Sequence, residues 1–86
     1  MHEEEIFGKI LQTERKAKKI SQEKLSKLSG LDRTFISLVE NGKRSPTFST
    51  ILKICSALEI DPSDIFSIYE KKNPDYSLKH SKNTKK

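Results

Sequence analysis

The sequence predicts an all-α fold, a compact bundle of five short helices in one domain. Three observations predict it. Apolar residues recur at three- and four-residue spacing and never alternate in the two-residue rhythm of a strand. Helix-start residues and glycine stops punctuate the chain in pairs, Ser21 with Gly30 and Asp32 with Gly42, and Asp61-Pro62 opens a further helix. The 86 residues leave room for one small domain, with no internal repeat and no second domain. A domain of this size buries only roughly 60% of its unfolded surface, so a dense helical core or a partner subunit is needed.

Helix 1 is expected over 3–18. Phe7, Ile10, Leu11 and Ala17 mark its apolar side. Glu3, Glu4 and Glu5 stand at the positive end of its dipole, and Lys16, Lys18 and Lys19 at the negative end. Helix 2 begins after Ser21 as N-cap and stops at Gly30, with Leu25 and Leu28 pointing inward. Helix 3 takes Asp32 as N-cap, runs to Asn41 and ends at Gly42; Ile36 and Val39 are its buried positions, preceded by Leu31 in the turn. Pro46 blocks helical continuation, and Thr47 caps helix 4, where Ile51, Ile54, Cys55 and Leu58 form an i, i+3, i+4, i+7 stripe. Asp61 at N-cap, Pro62 at N1 and Asp64 at N3 start helix 5, whose Ile65, Phe66, Ile68 and Tyr69 make it nearly all apolar. The folded domain is expected over 1–70, with 71–86 a basic, disordered tail.

The net charge of +5 resides in that tail, where six lysines face Asp75 alone. Residues 1–70 carry eleven basic and eleven acidic side chains and are neutral overall. Distribution is more telling than the total. Residues 9–44 hold ten basic residues against Glu14, Glu23, Asp32 and Glu40, while acids gather at 3–5 and 59–70. A basic region of this kind suits a phosphate-facing surface, although charge alone equally describes a solvated, lysine-rich helical face.

Several functions are excluded. No apolar run is long enough to span a bilayer. The opening MHEEEIF is acidic and lacks the basic and apolar regions of a signal peptide. Cys55 is the only cysteine, so there is neither an internal disulfide nor a zinc-ligand cluster, and a reducing, cytoplasmic setting is the simplest. His2 and His80 fall in expected tails, and no nucleophile–base pair or phosphate-cradling glycine loop is present. The chain is therefore expected not to be an enzyme and to use no cofactor or metal.

The stretch 21–46 reads SQEKLSKLSGLDRTFISLVENGKRSP, two short helices joined by a tight turn. Such a helix-turn-helix braces one helix across a sugar–phosphate backbone and lays the next in the major groove. Arg15, Ser21-Gln22-Glu23, Leu25, Gly30, Ile36-Ser37, Val39-Glu40-Asn41-Gly42, Pro46 and Leu58 together resemble the lambda-repressor-like, Cro/repressor-type (XRE) regulators over residues 7–66. The segment Asp32-Arg33-Thr34-Phe35-Ile36-Ser37 also resembles the recognition helix of small restriction–modification controller proteins.

The resemblance implies roles residue by residue. Gln22 would donate to a phosphate beside the N-terminus of helix 2. Arg33 and Thr34 open helix 3, the end that reaches base edges; Arg33 either grips guanine O6 and N7 or meets a phosphate. Ser37 and Leu38 lie one turn on, Ser37 as reader or packing residue, Leu38 as a sensor of thymine methyl or a space filler. Phe35 stands where relatives often carry tyrosine; lacking the hydroxyl, it makes an apolar contact at the backbone or simply packs. Asn41, Lys43 and Arg44 are expected at phosphates, giving affinity without sequence information. Arg15 and Glu40 are expected to form a partly buried ion pair that fixes the angle of helix 3. Lys19 and Glu59 stand where the family usually has glycine, and positive φ at either costs on the order of 1 kcal/mol. Cys55 replaces a small residue of helix 4, as a buried filler rather than a redox sensor.

One such module reads only a few base pairs, so two copies on a palindromic site are implied, about 34 Å apart. Leu52, Ile65, Phe66, Ile68 and Tyr69 are the candidate homodimer interface; the competing reading is that the helix 5 residues cap the monomer core. The expected function is sequence-specific binding of double-stranded DNA for transcriptional control in the cytoplasm, at the nucleoid, without a small-molecule effector or a membrane. The alternative is an antitoxin-like or co-regulator interaction module of the same fold. The basic tail either adds phosphate attraction or solubilises the chain.

Overall fold

The computed structural model describes residues 2–73. It contains five helices in chain order: α1 (Glu3–Ala17), α2 (Gln22–Ser29), α3 (Arg33–Glu40), α4 (Phe48–Leu58) and α5 (Pro62–Lys72). No strand occurs among the described residues. α1 packs against α3 and α5, α2 against α3 and α4, and α4 against α5.

The caps act where the side chains allow. Ser21 Oγ accepts from Lys24 N at 3.0 Å, Asp32 Oδ2 from Thr34 N at 3.1 Å and Thr47 Oγ1 from Thr50 N at 3.2 Å. Each satisfies one of the four N–H groups a helix start leaves open. Asp61 stands at the α5 N-cap, but its carboxylate makes no capping bond; Pro62 at N1 and the Asp61 carbonyl, which accepts from Asp64 N, set that start. The turn between α2 and α3 is held by its own serines. Ser26 Oγ donates to the Leu31 carbonyl, Ser29 Oγ accepts from Leu31 N, and Gly30 takes φ +77°.

The core gathers Ile6, Phe7, Ile10 and Leu11 of α1, Leu25 of α2, Ile36 and Val39 of α3, Ile54, Cys55 and Leu58 of α4, and Ile65 of α5. Two expected core positions fail. Leu28 is 49% exposed and Ala17 is exposed as well. α2 has only eight residues, and a single apolar side chain, Leu25, meets the core; in the last turn of α1 it is Arg15, and not Ala17, that turns inward. Ile6 and Gly8, both buried, complete the inner face of α1. Cys55 is enclosed, and its burial pushes the thiol pKa up, which keeps it protonated and unreactive. α5 takes in Lys71 and Lys72, two residues beyond the expected boundary at 70, and the rest of the expected tail, 74–86, lies outside the described residues.

Lys19 and Glu59 both adopt left-handed backbone, at φ 60° and 56°. The residue after each closes the helix end, with Ile20 N donating to the Arg15 carbonyl and Ile60 N to the Cys55 carbonyl. Lys19→Gly and Glu59→Gly relieve a Cβ clash, offset in part by the greater conformational entropy glycine gives the unfolded chain. Each is expected to raise stability by up to about 1 kcal/mol, read as a higher denaturation midpoint at unchanged m-value.

Candidate nucleic-acid interface

The interface grows from a buried polar knot behind α3. Arg15, on the inner face of α1, and Glu40, in the last turn of α3, are 7% and 5% exposed. Arg15 grips the carboxylate with two parallel bonds, Nε to Oε2 at 2.6 Å and one terminal nitrogen to Oε1 at 3.0 Å. Its other terminal nitrogen donates to the Ile20 carbonyl at 2.7 Å, tying the α1–α2 connection into the same cluster. Gln22 Nε2 donates to Glu40 Oε1 at 3.0 Å. The carboxylate thus receives three N–H donors, as a buried charge must. Among the described residues no buried side-chain nitrogen or oxygen lacks a partner.

This knot sets the pose of α3. Ile36 and Val39 face the core, leaving Arg33 and Thr34 exposed and Ser37 and Leu38 half-buried. These four line, with Gln22, a shallow open groove of about 270 Å³. No carboxylate side chain lines it. The first turn of α2 and the outer face of α3 therefore share one concave surface. Gln22 is nonetheless a double agent. Glu40 takes one of its amide hydrogens, and the remaining hydrogen and the carbonyl oxygen are what it can offer outward.

Behind α3 the chain turns sharply. Gly42 takes φ +74°, and Lys43 N donates to the Leu38 carbonyl at 2.8 Å. Lys43 and Arg44 emerge exposed from this turn. Asn41 differs from expectation. Its side-chain amide turns back to Ser37, 3.0 Å from the carbonyl and 3.5 Å from Oγ, so its donors cap α3 instead of pointing outward. Phe35 takes the packing role, one of the two expected of it. It is half-buried against the core, and the Arg44 guanidinium carbon lies over its ring, 5.4 Å from the centroid.

The expected dimer face is likewise rearranged. Ile65 is fully enclosed in the monomer core and cannot reach a partner. Ile68 and Tyr69 are half-buried against that core. Leu52 and Phe66 remain turned out, 40% and 45% exposed. Phe48, unmarked in the sequence reading, is the most exposed large apolar residue among those described, at 69%, and lies one turn from Leu52 on α4. Gly8 is the other residue the pattern concealed. A Cβ there would lie 2.3 Å from the Val39 carbonyl oxygen and 2.7 Å from that of Glu40. α1 thus touches the end of α3 backbone to backbone. The available signal was a glycine inside a helix, flanked by Phe7 and Ile10.

Among the described residues, no group of three or more His, Cys, Asp or Glu could hold a metal ion, and no helix is long and apolar enough to cross a membrane. Residues 11–65 match a family model described as helix-turn-helix. The control protein C.MunI of Mycoplasma sp is 42% identical over 66 residues, 76% of this chain and 89% of that protein. The crystal structure of the restriction–modification controller protein C.AhdI from Aeromonas hydrophila superposes with a TM-score of 0.70 at 44% identity, covering 72% of this chain and 94% of that one. The controller protein C.Esp1396I, solved as a tetramer with its natural 35-base-pair operator, superposes with a TM-score of 0.77 at 28% identity over 83% of this chain and 93% of that one. The five-helix frame, the α2–α3 groove and the matched span agree, and the chain belongs to the XRE-type helix-turn-helix family of DNA-binding transcriptional regulators.

Proposed function

We infer that the protein is a sequence-specific regulator of the restriction–modification controller kind, working as a homodimer on a palindromic operator in the cytoplasm, at the nucleoid. One observation carries this reading: the open groove shared by Gln22 and the outer face of α3, backed by the buried Arg15–Glu40 pair. The operator complex of C.Esp1396I supports it.

Arg33 and Thr34, at the N-terminal end of α3, address base edges, with Arg33 matched to the two acceptors of guanine. Ser37 and Leu38 follow one turn deeper, Leu38 against a thymine methyl. Gln22, Lys43 and Arg44 meet phosphates and supply affinity and salt dependence. Asn41 supports this set by closing α3. No residue of the chain is assigned a catalytic role.

Selection of duplexes from a random pool is expected to return an inverted repeat with half-sites about one helical turn apart. Arg33→Ala is expected to relax preference at one position per half-site and cost about 1–3 kcal/mol there. Lys43→Ala weakens all sequences alike and lowers the salt slope by about 1. Enrichment of no sequence would end the reading.

Dimerisation is assigned to the exposed apolar side chains Phe48, Leu52 and Phe66, because side chains of this size left in water favour a partner. Sedimentation at micromolar concentration is expected to give a dimer, and Phe66→Ser to shift it toward monomer and abolish the preference for paired half-sites. A wild-type monomer at that concentration would remove the homodimer from the proposal.

A further inference from the structure

Phe35 has no polar handle for DNA, yet it occupies the helix that faces the groove. Its one polar engagement is with Arg44, whose guanidinium carbon stands over the ring at 5.4 Å. A cation over an aromatic face is attracted by the ring quadrupole, and that attraction does not consume the five N–H donors as a carboxylate would. Among the described residues no carboxylate lies within ion-pair distance of Arg44. The side chain therefore rests over the ring without being neutralised, and it stays exposed with its N–H donors available.

Holding it matters because a free arginine side chain has much rotamer entropy to lose on meeting a phosphate. The backbone beneath it is already set, by Gly42 at φ +74° and by the Lys43 N bond to the Leu38 carbonyl. Phe35 is itself fixed by packing against the core. A rigid ring thus carries order from the core to a cation beyond the end of α3. We propose that Phe35 is a positioning residue that pre-aims Arg44 at the DNA backbone, contributing affinity through Arg44 and none by direct contact. This rests on the reading of α3 as the DNA-facing helix.

The experiment is a double-mutant cycle on binding to the duplex recovered by selection, measured by fluorescence anisotropy over a salt series. Phe35→Leu, which keeps apolar bulk and loses the ring, is expected to weaken binding about three- to fivefold. In the Arg44→Ala background the same change is expected to do nothing. Phe35→Tyr keeps the ring and is expected to bind at least as tightly as the parent, its hydroxyl offering one further donor. NMR supplies a readout that folding stability does not move. The Arg44 Nε–H resonance is expected to sit upfield through the ring current and to return to its ordinary position in Phe35→Leu. Equal losses in both backgrounds, no loss in either, or an Arg44 resonance indifferent to Phe35 would overturn the proposal. Failure of the parent protein to select any duplex would instead bring down the DNA reading, and this proposal with it.

Discussion

Arg15→Ala is expected to cost about 3–5 kcal/mol of folding stability, the range for removing one partner of a buried ion pair. The cause is what remains behind. Glu40 is 5% exposed and would keep Gln22 as its sole side-chain donor, while the Ile20 carbonyl would lose the Arg15 nitrogen it accepts from. Arg15→Lys is expected to rescue only part of this, because one ammonium cannot reproduce the two parallel bonds to Glu40 and the third to Ile20. Urea unfolding measures the loss, and DNA binding is expected to decline in step with the folded fraction. A variant that stays fully folded and yet fails to bind would refute a purely structural role for the pair. So would an Arg15→Ala protein of parental stability.

Gly8→Ala is the second large effect, and it runs against intuition. On an isolated helix the change stabilises by up to about 1 kcal/mol. Here the new methyl meets two main-chain carbonyls of α3 at 2.3 and 2.7 Å, and the backbone of α3 can yield only by moving the helix. Overpacking of this kind costs typically 1–3 kcal/mol, and forcing backbone against backbone belongs at its upper end. A net loss of about 2 kcal/mol is expected, seen as a lower urea midpoint. Because the displaced segment carries Glu40, binding to the selected duplex is expected to weaken beyond the fraction unfolded. An unchanged midpoint would mean that α1 stands off from α3 and that the close approach is absent.

Legibility in the sequence followed the range of the interaction. Ser21, Gly30, Asp32 and Thr47 act within a few residues of themselves, so their positions alone located four helix boundaries. The stripe Ile51, Ile54, Cys55 and Leu58 was equally readable, since three turns of α4 pin its inner side; only Ile51, at its N-terminal end, is half-buried rather than enclosed. Short elements were ambiguous. In α2 the pair Leu25 and Leu28 offers too little periodicity to say that only Leu25 is enclosed. In α5 the apolar neighbours Ile65 and Phe66 look interchangeable by composition, and only tertiary packing sends one inward and the other out.

The candidate site divides the same way. Arg33, Thr34 and Leu38 were singled out through the family resemblance, and the turn before α3 sets the helical phase that brings them to one groove. The Arg15–Glu40 pair spans 25 residues, and it too was approachable through the family resemblance. The Gln22 bond to Glu40, the Asn41 return to Ser37 and the Arg44–Phe35 stack depend on rotamers. No spacing rule encodes those.

A further consequence attaches to Glu40. One carboxylate of α3 accepts N–H bonds from side chains of α1 and α2, so the three helices are riveted at a single point behind the candidate groove. Such a joint is expected to leave the reading helix little play against a double helix. Accommodation would then fall to the nucleic acid, whose pliable pyrimidine–purine steps yield more readily than rigid A-tracts. Operators are therefore expected to be sorted partly by how easily they deform, including at base pairs that no side chain touches.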